Sequence, residues 1–238
     1  SIHLLGGMDK KFRWTRPLKL TSELYYKALS HLVPYKIDNL RIQYLPGQSS
    51  RGYAAGADLN LSGEFVKDLE SSFRLSLMKT AEDIDGDFLM KRDPSGNLHR
   101  VEPGYLKRPT DQRLNFSVFF QDKLFRSPEY KVHLNLLYGS ALPIGPPQRE
   151  RYEDIFAIPA YKRADIGFSK DLISQRGSTG PKSRYFKSLT IYAGVFNLLG
   201  NRNTISYLWL TDINNNQYAI PNHLTGRSLN LRLIGRIN

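Results

Sequence analysis

Both ends of the segment 188–238 keep a two-residue beat. Leu189, Ile191, Ala193 and Val195 are apolar, with Ser188, Thr190 and Gly194 between them. Leu229, Leu231, Leu233 and Ile237 alternate in the same way with Ser228, Asn230, Arg232 and Arg236. Alternation of this kind builds a strand with one apolar and one polar face. The aliphatic face needs a partner, and only two serve: a protein core or hydrocarbon.

The beat recurs along the chain. Residues 1–12 read as a short strand interrupted at Gly6-Gly7, and the run from Arg13 to Pro17 reads as a turn. Leu18, Leu20, Leu24 and Tyr26 then keep the period, as do Tyr53, Ala55, Ala57, Leu59 and Leu61. Beyond a tight turn at Lys67-Asp68 come Leu69, Phe73, Leu75 and Leu77, and later Leu114, Phe116, Val118 and Phe120. After a turn at Arg126-Ser127-Pro128, Val132, Leu134, Leu136 and Tyr138 continue it, followed by Ala164, Ile166 and Phe168. A Gly/Ser-rich turn at 175–183 precedes the closing pair. The count is about nine strands of roughly ten residues, the length of a transmembrane β-strand. Connections alternate between short ones and long ones near 31–51, 82–112, 142–160 and 200–226, the asymmetry of an outer-membrane barrel.

Composition narrows the classes. Mean hydropathy is −0.44, and no run approaches the roughly 20 apolar residues of a spanning helix. Cysteine is absent, which excludes disulfides, thiolate metal sites and a cysteine nucleophile. The net charge is +12, from 34 basic and 22 acidic residues. Those cations are scattered rather than concentrated on one element, so nucleic acid is not expected as a partner. With 14 Tyr and 12 Phe, the chain has the aromatics for a membrane-interface girdle.

A soluble β-sandwich, for instance a carbohydrate-binding module, is the competing reading, because its strands also alternate. Strands of about ten residues are long for a sandwich. The apolar faces named above also carry no charge, as lipid contact demands: Arg or Lys at the midplane costs about 2–4 kcal/mol.

Specific runs add a family resemblance. YKVHLNLLYG at 130–139, LPIGPP at 142–147 and IPAYKRADIGF at 158–168 resemble late barrel strands of Bacteroidetes-type TonB-dependent receptors. GVFNLLGN at 194–201, NHLTGRSLNL at 222–231, GYAAGAD at 52–58 and LSLMKT at 75–80 are similar to the same family. The resemblance implies an all-β, antiparallel transmembrane barrel of about 22 strands, with residues 1–238 forming about its last nine. The plug, the TonB-contact segment and the first barrel half would lie outside this chain. It further implies import of a specific ligand across the outer membrane of a Gram-negative bacterium, driven by the TonB complex. A surface lipoprotein is a further candidate partner, and outer-membrane lipid surrounds the wall. Members of the family generally end on an aromatic residue, so at least a residue 239 is expected beyond Asn238.

No catalytic constellation emerges, and an enzyme is not expected. His3, His31, His99, His133 and His223 lack metal-ligand spacing, so no metal or cofactor is expected. Glu82, Asp83, Asp85 and Asp87 read as a solvated acidic turn, too short for a calcium loop. Gly177-Ser178-Thr179-Gly180 lacks the lysine of a phosphate loop. The candidate functional positions are lumen-facing Arg74, Arg163, Arg232 and Arg236, which would steer anionic cargo or pair with Glu64, Asp58, Asp165 or the plug. The loop aromatics Tyr207, Trp209 and Tyr218 are candidates for ligand contact or for the membrane rim.

Overall fold

The computed structural model describes residues 1–13, 15–147, 149–151, 156–173 and 185–237. The chain enters as β1 (Ile2–Arg13) and returns as β2 (Pro17–Leu32). A small hairpin, β3 (Tyr35–Asp38) and β4 (Arg41–Tyr44), precedes the long pair β5 (Ser50–Val66) and β6 (Leu69–Ile84). A second hairpin, β7 (Leu89–Arg92) and β8 (Leu98–Val101), and the two-residue β9 (Leu106–Lys107) lead to β10 (Leu114–Lys123). A 3-10 turn at Leu124–Arg126 turns the chain into β11 (Tyr130–Gly139). Then come the hairpin β12 (Leu142–Ile144) and β13 (Phe156–Ile158), and the wall strands β14 (Tyr161–Ile173) and β15 (Phe186–Phe196). The hairpin β16 (Thr204–Thr211) and β17 (Gln217–His223) separates these from β18 (Ser228–Ile237).

Nine of these strands form one wall, in the order β1-β2-β5-β6-β10-β11-β14-β15-β18, with β9 paired to β6. Spatial order follows chain order and every wall pair is antiparallel, so the sheet is an up-and-down meander. The wall strands run from 10 residues in β10 to 17 in β5, well beyond the five or six of an average strand. Long connections gather at one end of the wall and short ones at the other. Each of the four long connections carries its own two-stranded hairpin.

The polar residues of successive strands stand in register. Glu23 faces Asp58, Asp58 faces Ser76 and Asn60 faces Arg74. Arg74 faces Ser117, Asn135 faces Asp165 and Tyr192 faces Arg232. This face is concave. Arg74 on β6 and Arg232 on β18 line one cavity of about 450 Å³, although a flat sheet would hold strands five places apart about 24 Å from each other.

The opposite face is aliphatic, and no described residue outside the wall is packed across it. Leu24 is 68% exposed and Leu77 48%. Among the described residues only seven hydrophobic side chains other than proline are buried, against ten polar or charged ones, and no second sheet packs face to face. A sandwich would reverse that ratio, because its strands must bury their apolar sides.

Three local expectations need correction. Gly6 and Gly7 do not interrupt β1, which stays paired with β2 from Ile2 to Arg13, and neither takes the positive φ of a turn glycine. β6 continues to Ile84 because β5 stays paired with it as far as Ser50 opposite Ile84, with β9 added on its other side at Ala81 and Glu82. The long connections are not structureless, as their hairpins show. The turn expected at 175–183 lies outside the described residues. At Lys67-Asp68 the tight turn forms, with Asp68 in the left-handed region (φ 63°) and its N–H donating to the Glu64 carboxylate at 3.2 Å.

Candidate functional site

The concave face is a ladder of charge pairs. Lys19 pairs with Asp9 at 2.8 Å, Lys131 with Asp171 at 2.6 Å and Arg163 with Asp165 at 2.7 Å. Asp165 also accepts from the Asn197 backbone N–H at 2.8 Å and from Asn135 at 3.3 Å. Arg163 is therefore tied to the wall. Arg232 donates to Asn230 at 2.8 Å and lies over the Tyr192 ring at 5.0 Å. Arg74 makes no ion pair among the described residues and lines the concave cavity with Ser72, Ser117 and His133. Arg236 faces Ser188 near the turn end. Of the four arginines, Arg74 and Arg232 share a cavity, Arg163 is neutralised beside it, and Arg236 stands apart.

Two tyrosines set the shape of this face. A Cβ on Gly167 would lie 2.6 Å from Tyr192 Cε2, and one on Gly56 would lie 2.5 Å from the Leu77 carbonyl oxygen with Tyr25 also against it. The phenol end of each ring lies against a glycine of the neighbouring strand, an arrangement that covers a strand glycine and lets a sheet bend.

At the loop end the hairpins hold one another. Ser206 Oγ on β16 donates to Asn39 Oδ1 at 2.9 Å, and Asn222 Nδ2 on β17 donates to the same oxygen at 2.6 Å. Phe156 on β13 packs edge-on against Tyr207 at 5.4 Å and Trp209 at 5.6 Å. Lys36 on β3 reaches Glu150 at 3.4 Å and the Arg149 carbonyl at 2.7 Å. Beneath them lies a cavity of about 800 Å³, with Leu142, Ile158 and Ile205 above and Glu23, Asp58 and Arg74 on the wall below. Tyr207 and Trp209 thus come together with Phe156, which the sequence reading did not single out. Tyr218 faces Leu210 across the hairpin, on the opposite side from Trp209. Its hydroxyl donates to Asp212 at 3.3 Å.

The acidic run at 82–87 departs from the solvated turn expected of it. The Glu82 side chain is wholly buried between Arg151 and Arg108, and Ser50 donates to it at 3.1 Å. Asp83 is held by Arg51 at 2.9 Å. Burial, followed by the charges of Asp83, Glu102 and Glu150, pushes the Asp87 carboxyl up. Loop residues that start far apart thus converge on one carboxylate at the end of the wall.

On the outer face, charge is confined to the two ends. Lys10 lies over Phe12 at 5.2 Å and Lys170 over Tyr130 at 4.9 Å at the turn end. Tyr26, Tyr53 and Lys79 stand near the loop end, with the two tyrosine rings 6.4 Å apart. Between Tyr130 and Tyr138 on β11 the outward residues are Val132, Leu134 and Leu136. Eight residues at about 3.4 Å each, tilted by about 40°, separate the two rings by about 20 Å across the sheet. That is close to the ~25 Å apolar band between aromatic girdles of a membrane barrel.

No family model matches the chain, and no curated protein matches it. Among solved structures it is similar to the closed form of the ferric-catecholate import receptor Fiu from Escherichia coli K12. The TM-score is 0.55 at 13% identity, covering 96% of this chain and 27% of that one. The chain therefore has the fold of part of a β-barrel wall, and it spans about a quarter of that receptor's length.

Proposed function

We propose that this chain is part of the wall of a TonB-dependent importer in the outer membrane of a Gram-negative bacterium. One observation carries the reading: a nine-strand meander with an unpacked aliphatic outer face and a charge-paired inner face, bounded at both ends by aromatic and cationic residues. Such a wall is stable only where hydrocarbon covers one side. β1 and β18 each have a single strand neighbour, so further strands close the barrel, since open edges do not persist in lipid. The concave face then lines the lumen, where Arg74, without an ion pair among the described residues, and the stacked Arg232 meet an anionic cargo or a segment that fills the barrel. The interlocked hairpins face the cell exterior, and Phe156, Tyr207 and Trp209 contribute to ligand capture. The TonB complex drives transport through parts of the protein outside these strands. The work of such a wall is passage rather than catalysis.

The test is topological and energetic together. An epitope inserted after Ile213, at the tip of the β16–β17 hairpin, should be stained on intact cells. One inserted at Lys67-Asp68 should be stained only after permeabilisation. Import of the cognate ligand should stop when TonB is removed. Staining of both epitopes on intact cells, or of neither before lysis, would contradict the reading.

A further inference from the structure

The outer wall at the loop end carries more than an aromatic girdle. Lys79 on β6 stands opposite Ala55, on the same face as Leu75 and Leu77. Lys107 on β9 stands opposite Ala81, two residues further along β6 and on that same face. Tyr53 also faces Ala81. It stacks with Tyr26 at 6.4 Å and meets Tyr105 at 5.6 Å, and the Lys79 ammonium lies over its ring at 5.9 Å. Two exposed lysines on adjacent strands therefore flank a platform of three tyrosines. The nearby carboxylate on this face, Asp83, is engaged by Arg51 through two guanidinium nitrogens, at 2.9 and 3.2 Å. Among the described residues neither lysine has an ion-pair partner.

The turn end differs. Its outward lysines, Lys10 on β1 and Lys170 on β14, sit singly over their own rings on strands far apart in the sheet. Paired cations above a tyrosine platform suit a bound anion whose tail lies along the wall, whereas single snorkelling lysines need none. Resting on the membrane reading above, we propose that Lys79 and Lys107 together clamp the phosphate of a membrane lipid in the leaflet on the loop side. Tyr26, Tyr53 and Tyr105 pack against its headgroup and first acyl carbons. Charge complementarity favours the phosphate, and low polarity at the interface strengthens it.

The test uses the intact protein in dodecyl-maltoside micelles, titrated with dioleoyl phosphatidic acid and followed by native mass spectrometry. At about 1 kcal/mol per lysine, Lys79→Gln with Lys107→Gln should weaken binding about 30-fold. Lys10→Gln with Lys170→Gln should weaken it by less than about threefold. Equal losses in the two double variants, or none in the first, would overturn the proposal. Inorganic phosphate that displaces the lipid at equal concentration would also overturn it, because the site would then recognise a free anion. Urea midpoints of both variants within error of the parent keep misfolding out of the comparison. Should the parent protein stay monodisperse without detergent, the membrane reading is what fails. A protein that needs detergent but ignores the lysines sinks only the clamp.

Discussion

Replacing Gly167 by alanine probes how the wall acquires its curvature. Gly167 lies on β14 opposite His133, and the Tyr192 ring of β15 covers it. An alanine Cβ would stand 2.5 Å from Tyr192 Cζ and 2.6 Å from Cε2, more than 1 Å inside ordinary carbon contact. The ring has little freedom to withdraw, with His133 at 5.6 Å and the Arg232 guanidinium at 5.0 Å. Overpacking of this kind costs about 1–3 kcal/mol. Urea unfolding of the lipid-reconstituted protein should show that loss as a lower midpoint at unchanged slope. Gly6→Ala supplies the control: it meets nothing within 4 Å and should be neutral or stabilising by up to about 1 kcal/mol. Removing the ring should remove the cost. In a Tyr192→Ala background, Gly167→Ala should become neutral, a coupling of at least about 1 kcal/mol. Additive losses, or a Gly167→Ala protein as stable as the parent, would refute the idea that the tyrosine is seated on glycine.

Three further outcomes follow from the geometry. Glu82→Gln leaves Arg108 and Arg151 facing each other in a buried site without a counter-charge, and should destabilise by about 3–5 kcal/mol; trypsin cleavage near 145–151 should accelerate as that loop loosens. Leu134→Arg should lower stability in lipid vesicles by about 2–4 kcal/mol, whereas Asn135→Arg, one residue away on the polar face, should cost much less. At the β16–β17 turn, the Asn216 side chain and then its backbone hold the Asp212 carboxyl below its ordinary value of 3.8. Its ionised form is the one the fold favours, so its contribution is present above that value and lost as pH falls below it; the protection of the Asn214 and Asn216 amides, which donate to Asp212 at 2.9 and 2.8 Å, measured as the exchange rate relative to the intrinsic rate at the same pH, should fall on acidification.

The wall was legible because a strand between two media writes its environment into alternate residues. Leu229, Leu231 and Leu233 point one way while Asn230 and Arg232 point the other, and the observed register preserves that division across all nine strands. The loop end was not legible, for a different reason. Its hairpins have strands as short as three residues, interrupted by Pro143 and Pro221, and they are fixed by partners more than a hundred residues away. Asn39 meets Ser206 and Asn222, and Lys36 meets Arg149, without any local signal in the sequence. Glu82 looked like one of four solvated acids because its neutralising arginines come from residues 108 and 151. Lys79 has no local signal in the sequence, because a single lysine at the end of an apolar strand gains a neighbour only when β9 brings Lys107 beside β6.

On the reading proposed above, one face of this wall meets hydrocarbon and the other meets water. The chain has no cysteine, so single cysteines from 132 to 137 can each carry a nitroxide in the lipid-reconstituted protein. Labels at 132, 134 and 136 should collide with oxygen dissolved in the bilayer, while those at 133, 135 and 137 should collide with a water-soluble nickel chelate, in strict alternation. Labels at 132, 134 and 136 that are shielded from oxygen, or reached by the nickel chelate, would show a protein core or water in place of lipid and contradict a hydrocarbon-facing wall.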